Sequence, residues 1–272
     1  MSWWQAILLG LVQGLTEFLP VSSSGHLVIF KEVLGANAEG FLDFTVTVHL
    51  ATVLATLVVF WSVIRDLLKG LFQFRYNDQT DYVCKILVSL IPVALVGFLL
   101  KDQVDALFSG GLSQVAAGLC ITALLLWISD GAGKRFRVPV ATDTRNGISY
   151  WQAFVVGLAQ AFAVVPGVSR SGSTIATGLL TGVKRESMAQ FSFLMVLIPI
   201  VGEQALDLLK TALGTESFGG GVGTPALLLG FVAAFVSGLF ACKVMVALVR
   251  RAKLQWFALY CLLVALALFI FA

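Results

Sequence analysis

The chain has 272 residues, of which 58% are apolar and only 12% charged, with a net charge of +3 and a mean hydropathy of +0.94. That balance excludes an ordinary soluble enzyme and leaves no room beside the membrane spans for a sizeable soluble domain. Cys84, Cys120, Cys242 and Cys261 lack CxxC spacing, so they read as small core hydrophobes and say nothing of redox compartment.

Residues 4–25 return, without a gap, at 151–172. Trp4, Gln5, Ala6, Gly10, Leu11, Gln13, Val21, Ser22, Ser24 and Gly25 reappear as Trp151, Gln152, Ala153, Gly157, Leu158, Gln160, Val168, Ser169, Ser171 and Gly172. Such interrupted hydrophobic segments at matching places in two halves point to a binding site deep in a membrane, where the two breaks meet. Met1–Gly10 already belongs to the first repeat and has no basic n-region, so no leader is expected to be removed.

In chain order, the first repeat unit, Trp3–Leu34, holds two apolar pieces too short to cross, separated by Pro20–Gly25. Spans follow at about Phe41–Ile64, Val83–Leu100 and Leu112–Ser129. The second unit, Tyr150–Val183, breaks at Pro166–Gly172, and spans follow at Met188–Leu209, Thr224–Leu248 and Leu254–Ala272. Each of the six is long enough for roughly 30 Å of hydrocarbon. The expected fold is an all-α polytopic membrane protein, one membrane domain with an inverted-topology repeat. Each half is one re-entrant helical hairpin plus three transmembrane helices. Residues 1–129 form the first half with hairpin 3–34, 130–149 a cytoplasmic connection, and 150–272 the second half with hairpin 150–183. Three spans per half is an odd number, so the halves must be inverted relative to one another.

Charge placement orients this arrangement. Twelve basic residues fall on one side: Arg65, Lys69, Arg75, Lys134, Arg135, Arg137, Arg145, Lys184, Arg185, Arg250, Arg251 and Lys253. Only Lys31, Lys101 and Lys210 fall on the other. The positive-inside rule therefore puts the basic loops in the cytoplasm and both termini outside. The loops read as orientation signals and anionic-lipid contacts, not as a nucleic-acid surface.

The first break reads Gln13-Gly-Leu-Thr-Glu17-Phe-Leu-Pro-Val-Ser22-Ser23-Ser24-Gly25-His26, and the second Pro166-Gly-Val-Ser169-Arg170-Ser171-Gly172-Ser173-Thr174. A Ser/Gly loop opening into a helix presents free N–H groups, hydroxyls and the positive end of a helix dipole, which is the chemistry of an anion site. Arg170, costly at membrane depth, adds a planar fork that matches phosphate oxygens. Gln13 and Glu17 share one helix face. A carboxylate beside phosphate repels it unless it is protonated, holds a divalent cation or handles a proton. Blander readings stay open: close helix packing for the serines, a structural ion pair for Glu17 with Arg170, a satisfied carbonyl for His26, and a packing or hydrogen-bonding role for His49. There is no HExxH, Walker loop, GxGxxG in strand context or His/Cys metal cluster.

These two stretches, together with Phe191-Ser-Phe-Leu194, resemble the signature regions of the bacterial undecaprenyl-diphosphate phosphatases linked to bacitracin resistance, and the similarity runs through the whole chain. The resemblance implies hydrolysis of undecaprenyl diphosphate to undecaprenyl phosphate and inorganic phosphate, which recycles the lipid carrier for peptidoglycan and other envelope polymers. It also implies dependence on a divalent cation, Mg2+ or Ca2+. The first motif position is Glu in some members and Gln13 here, which weakens a two-carboxylate site and leaves Glu17, with Gln13, as the metal-holding pair.

The catalytic set expected from residues and resemblance together is Glu17, Ser23, His26 and Arg170. Ser23 is the candidate nucleophile, and His26 the proton-transfer partner or a rival nucleophile. Gln13, Ser22, Ser24, Gly25, Ser169, Ser171, Gly172, Ser173 and Thr174 are the expected substrate-binding positions. The expected partners are undecaprenyl diphosphate and membrane lipid, and a homodimer is admitted though not required. The expected place is the bacterial plasma membrane, with the site open to its outer side. A transporter or flippase of the same anionic lipids would share this architecture.

Overall fold

The computed structural model describes residues 1–36, 40–100, 103, 111–135, 145–212, 221–251 and 253–271. Among them every regular element is helical: α1 Trp3–Thr16, α2 Ser23–Val33, α3 Phe41–Val59, α4 Trp61–Leu71, α5 Asp78–Leu99, α6 Gly111–Arg135, α7 Tyr150–Phe162, α8 Arg170–Leu180, α9 Arg185–Ala212, α10 Thr224–Arg251 and α11 Gln255–Phe271, with one 3-10 turn at Arg145–Gly147. Large apolar side chains face outward along these helices, among them Leu11, Leu15, Leu95, Phe98, Val232, Val236, Phe240, Leu263 and Phe269. An apolar exterior on a helical body needs lipid as its solvent. The chain is a multi-pass membrane protein.

The two repeat units fold alike because their starting residues are alike. Ser2 and Ser149 each cap the first turn of the following helix, and Gln5 and Gln152 close a capping box on them. The same glutamines then donate across to the far end of their own pair, Gln5 Nε2 to Leu34 O and Gln152 Nε2 to Thr181 O, both at 2.8 Å. α1 therefore folds back on α2 and α7 on α8. Helices of 14, 11, 13 and 11 residues reach about 17 to 21 Å at 1.5 Å per residue, short of a bilayer's hydrocarbon.

Each unit lies against a helix of the other half. α1 packs on α10 and α7 on α5. Glycine permits both approaches: a Cβ on Gly10 would collide with Gly230 O, and one on Gly157 with Ser89 O. α6 and α11 pack together, and each backs one of the breaks. α9 touches α3, α5, α8 and α10 and brings Phe191, Phe193, Met188 and Met195 into the main core.

Helices long and apolar enough to cross occur at Asp78–Leu99, Gly111–Gly131 and Thr224–Met245, as expected, while the apolar helix Gln255–Ile270 is shorter. The expected single span Phe41–Ile64 is corrected. It breaks at Phe60, and α3 and α4 meet at 73°. The physical reason lies just past the break, where Arg65, Asp66 and Lys69 recur about once per turn on α4. Such a helix is stable along an interface but not through hydrocarbon. Phe60 also turns inward, its ring 5.9 Å from that of Phe193.

At the start of α5 a buried ion pair ties the halves together. Lys85 Nζ donates to Asp81 Oδ2 at 2.6 Å and to Arg145 O at 2.7 Å. Asp81 also accepts from Tyr76, Tyr150 and Asn146. With every partner satisfied, such a network fixes one geometry for the chain entering α7. The side chains of Lys101, Lys134, Arg135, Arg137, Lys210, Arg250 and Arg251, on which the charge count partly rests, lie outside the described residues.

Candidate active site

α1 ends because Pro20 cannot continue it. Glu17 is its C-cap, its N–H donating to Gln13 O at 2.9 Å. One turn apart, Gln13 and Glu17 share a face, and Gln13 Nε2 donates to Glu17 Oε2 at 2.9 Å. The chain then turns through Ser22, whose φ of 69° is uncommon for a residue with a side chain and costs about 1 to 3 kcal/mol. Two contacts hold it there: Ser22 Oγ accepts from Gly25 N at 3.3 Å, and Ser22 O faces His26 Nδ1 at 2.7 Å. Strain of this kind persists only where the surroundings hold it, and such positions cluster at functional sites.

The second break repeats the capping with a different support. Ser169 Oγ accepts from Gly172 N at 3.1 Å and starts α8, while Ser169 N donates to Thr122 Oγ1 of α6 at 2.9 Å. Gly167 adopts φ 85° and lies so close to Val115 O that a Cβ would clash, so position 167 requires glycine twice over. At the first break α11 gives the corresponding support. Cys261 Sγ approaches Pro20 O at 3.8 Å, and Tyr260 reaches His26. The irregular backbone of both breaks is thus backed by neighbouring helices.

The breaks meet at Glu17. Arg170 Nη2 donates to Glu17 Oε1 at 3.1 Å, and Ser23 Oγ donates to Glu17 Oε2 at 2.5 Å. Ser171 Oγ donates to Leu19 O at 3.1 Å across the same junction. A polar cleft between the breaks is lined by Glu17, Ser22, Ser23, Ser24, Ser169, Arg170 and Ser171. On the far side of Glu17 and Arg170 lies a mainly apolar cleft walled by Phe18, Val53, Phe193, Val196, Leu197 and Ile200. The Glu17 side chain is only 10% exposed and that of Arg170 30%, so the fork keeps part of its surface open toward the clefts. Among the described residues no group of three His, Cys, Asp or Glu side chains is close enough to hold a metal.

Seven of the expected positions therefore converge in one cleft, with Gln13 directly behind. Others serve differently. The Gly25 and Gly172 amides are taken by the caps. Thr174 Oγ1 bonds Arg170 O at 2.8 Å and Ser192 Oγ at 2.6 Å. Ser173 Oγ is buried without a partner. His26 is 2% exposed; its Nε2 meets Tyr260 OH at 2.7 Å, and its ring stacks on the tyrosine. It is not among the residues lining either cleft.

One group is not visible from the sequence. His49 of α3 places Nε2 3.8 Å from Glu17 Oε2. Nothing near it in sequence announces this, since the only signal is its place one turn before Thr52 and Val53, which line the apolar cleft.

Residues 6–267 match the family model described as "Bacitracin resistance protein BacA". The chain is 50% identical over 264 residues to an undecaprenyl-diphosphatase of Bacteroides fragilis, covering 97% of this chain and 96% of that one. It is 50% identical over 270 residues to one of Bacteroides thetaiotaomicron, covering 99% of each. A similar protein of the same name from Methanococcus vannielii is 38% identical over 261 residues, covering 96% of each.

Proposed function

The chain belongs to the bacitracin resistance protein BacA family, and on that premise we infer that it is an undecaprenyl-diphosphatase. It hydrolyses undecaprenyl diphosphate to undecaprenyl phosphate and inorganic phosphate, returning the lipid carrier to envelope-polymer synthesis. The observation that carries the chemistry is a hydroxyl and a guanidinium on the two oxygens of one buried carboxylate: Ser23 on Oε2 and Arg170 on Oε1 of Glu17. Nucleophile and base within hydrogen-bond reach, with the base oriented by a third group, is the arrangement of an activated serine. The apolar cleft beside it suits a prenyl chain, so the diphosphate can enter polar surroundings while its tail stays among Phe18, Phe193 and Leu197.

In the proposed reaction the terminal phosphate lies against the Ser22–Ser24 and Ser169–Ser171 turns, with Arg170 turning its fork from Glu17 to the phosphate oxygens. Ser23 Oγ attacks the terminal phosphorus, its proton passing to Glu17. The bond from that phosphorus to the bridging oxygen breaks, Glu17 gives its proton to that oxygen, and undecaprenyl phosphate leaves. Water then attacks the phosphoserine, Glu17 taking its proton and returning it to Ser23 Oγ as the phosphoserine bond breaks, which releases inorganic phosphate and free Ser23. Catalysis of phosphoryl transfer is mostly positioning and charge stabilisation, which fits a site built from caps and one arginine. His26 serves this scheme from behind. Its Nδ1 and Nε2 are held by Ser22 O and Tyr260 OH, so it fastens the strained turn to α11.

A divalent cation, Mg2+ or Ca2+, is part of the proposal. The residues fit one: Glu17 offers a carboxylate, and Gln13 Oε1 is a buried oxygen with no partner. Mg2+ is commonly held by one or two carboxylates plus the substrate's own phosphate oxygens. Glu17 and Gln13 would hold it there, and it would supply positive charge against the reacting phosphates.

Arg170→Lys tests the site. It keeps the charge but loses the fork, and charge-assisted hydrogen bonds are worth roughly 1.5 to 3 kcal/mol. Phosphate release from undecaprenyl diphosphate by purified protein in detergent should fall more than about tenfold. Near wild-type turnover would make Arg170 structural. Detergent abolishes any gradient, so wild-type protein that binds the lipid without releasing phosphate would indicate a carrier instead.

We further propose that 1–129 and 150–272 are inverted halves in the plasma membrane, joined by a cytoplasmic connection, each with a re-entrant hairpin, both termini outside and the site open to the outer side. The matched capping boxes and the exchanged packing of α1 on α10 and α7 on α5 support it, as does the basic side of twelve against three. With the four native cysteines replaced, cysteines at Arg75 and Arg137 should resist an impermeant thiol reagent in intact cells, while one at Lys210 reacts. The reverse pattern overturns the orientation.

A further inference from the structure

His49 lies on α3 one turn before the cleft-lining Thr52 and Val53, and its two nitrogens face different partners. Nδ1 is 2.8 Å from Thr45 O, and a carbonyl oxygen only accepts, so Nδ1 carries the hydrogen and the neutral ring presents a lone pair at Nε2. That lone pair faces Glu17 Oε2 at 3.8 Å, beyond hydrogen-bond distance. In the neutral ring this leaves two electron-pair donors facing each other across a short gap. A histidine whose other nitrogen donates to a backbone carbonyl is the usual setting of a metal-ligating imidazole, because that bond fixes both tautomer and ring orientation. Gln13 supplies the second sign of an absent ligand. Its amide nitrogen is on Glu17 Oε2, and its own oxygen is buried with no partner.

We propose that His49 Nε2 joins Glu17 Oε2, beside Gln13, as a protein ligand of the site's divalent cation, with the imidazole standing where a second carboxylate would otherwise serve. The inference rests on the reading of the site as a cation-assisted diphosphatase. Imidazole nitrogen is a softer donor than carboxylate oxygen, so this pair favours first-row transition ions, Mn2+ among them, over Mg2+ and Ca2+. The chain has only two histidines, and both nitrogens of His26 are engaged by Ser22 and Tyr260. A single imidazole is therefore available at the site.

The test is Mn2+ added to the detergent-solubilised full chain, purified without a polyhistidine tag. Bound and free Mn2+ are measured by electron paramagnetic resonance, and nitrogen coupling to the bound ion by electron spin-echo modulation. Wild-type protein should show imidazole coupling. His49→Gln should lose it and bind Mn2+ more than about tenfold more weakly, an effect of the size expected for a lost ligand contact. If His49→Gln does not fold, His49→Asn is read the same way, and the wild-type spectrum decides alone: bound Mn2+ without imidazole coupling overturns the proposal. Unchanged Mn2+ affinity in His49→Gln also overturns it. Wild-type protein that releases phosphate but lacks the coupling refutes the ligand assignment and leaves the diphosphatase standing; coupling without phosphate release does the opposite.

Discussion

Replacing Glu17 with Gln is expected to lower phosphate release on the order of a hundredfold or more while leaving a folded protein. The amide matches the carboxylate in size and can still accept from Ser23, but it cannot take the serine proton and carries no charge for a cation. Stability should change little. Arg170, released from Glu17 Oε1, is 30% exposed in its side chain and can turn its fork to water in the cleft. Binding of the lipid diphosphate should persist or tighten, since a negative charge beside the phosphates has gone. A purely structural ion pair predicts the opposite, because breaking a buried pair costs about 3 to 5 kcal/mol. Melting temperature and phosphate release on one preparation separate the two, and a destabilised but active Glu17→Gln protein would overturn the assignment.

Ser23→Ala should have the largest effect of all, at least about a thousandfold, because it deletes the nucleophile while the phosphate-holding turns remain. Losing the nucleophile of an interdependent catalytic group leaves only residual catalysis from binding and charge stabilisation. The hydroxyl's hydrogen bond is to Glu17, so the alanine removes little packing. With substrate labelled in the terminal phosphate, wild-type protein quenched in acid should retain label, and Ser23→Ala should not. Direct attack by water predicts no retained label in either protein and a loss of only about tenfold, the share of one hydrogen bond to the carboxylate.

Much of the fold and site is legible in the chain itself because the signals are local. The duplication, the two Pro-and-Ser/Gly breaks, and Gln13 one turn before Glu17 follow from spacing alone. Helix starts at Trp3 and Tyr150 match the expected segments, while those at Ser23 and Arg170 fall inside the expected breaks; in each case the cap is supplied by a residue one to three positions away. The break within Phe41–Ile64 is hidden for the complementary reason. Apolar length alone does not register that the helix turns at Phe60, four residues before the span was expected to end, nor that the Phe60 ring has Phe193 to pack on.

What the sequence determined by itself was the membrane class, the repeat and the two breaks, since composition and local hydrogen bonding settle those. What only the tertiary structure decided was the partner of each polar group. Ser23 turns to Glu17 and not to His26, His26 turns to Tyr260 more than 200 residues away, and His49 reaches Glu17 from α3. Those pairings depend on where α3 and α11 come to rest. Helix packing sets that through close approaches such as Gly10 on Gly230 and Gly157 on Ser89, and no local pattern encodes which two distant side chains then fall within reach.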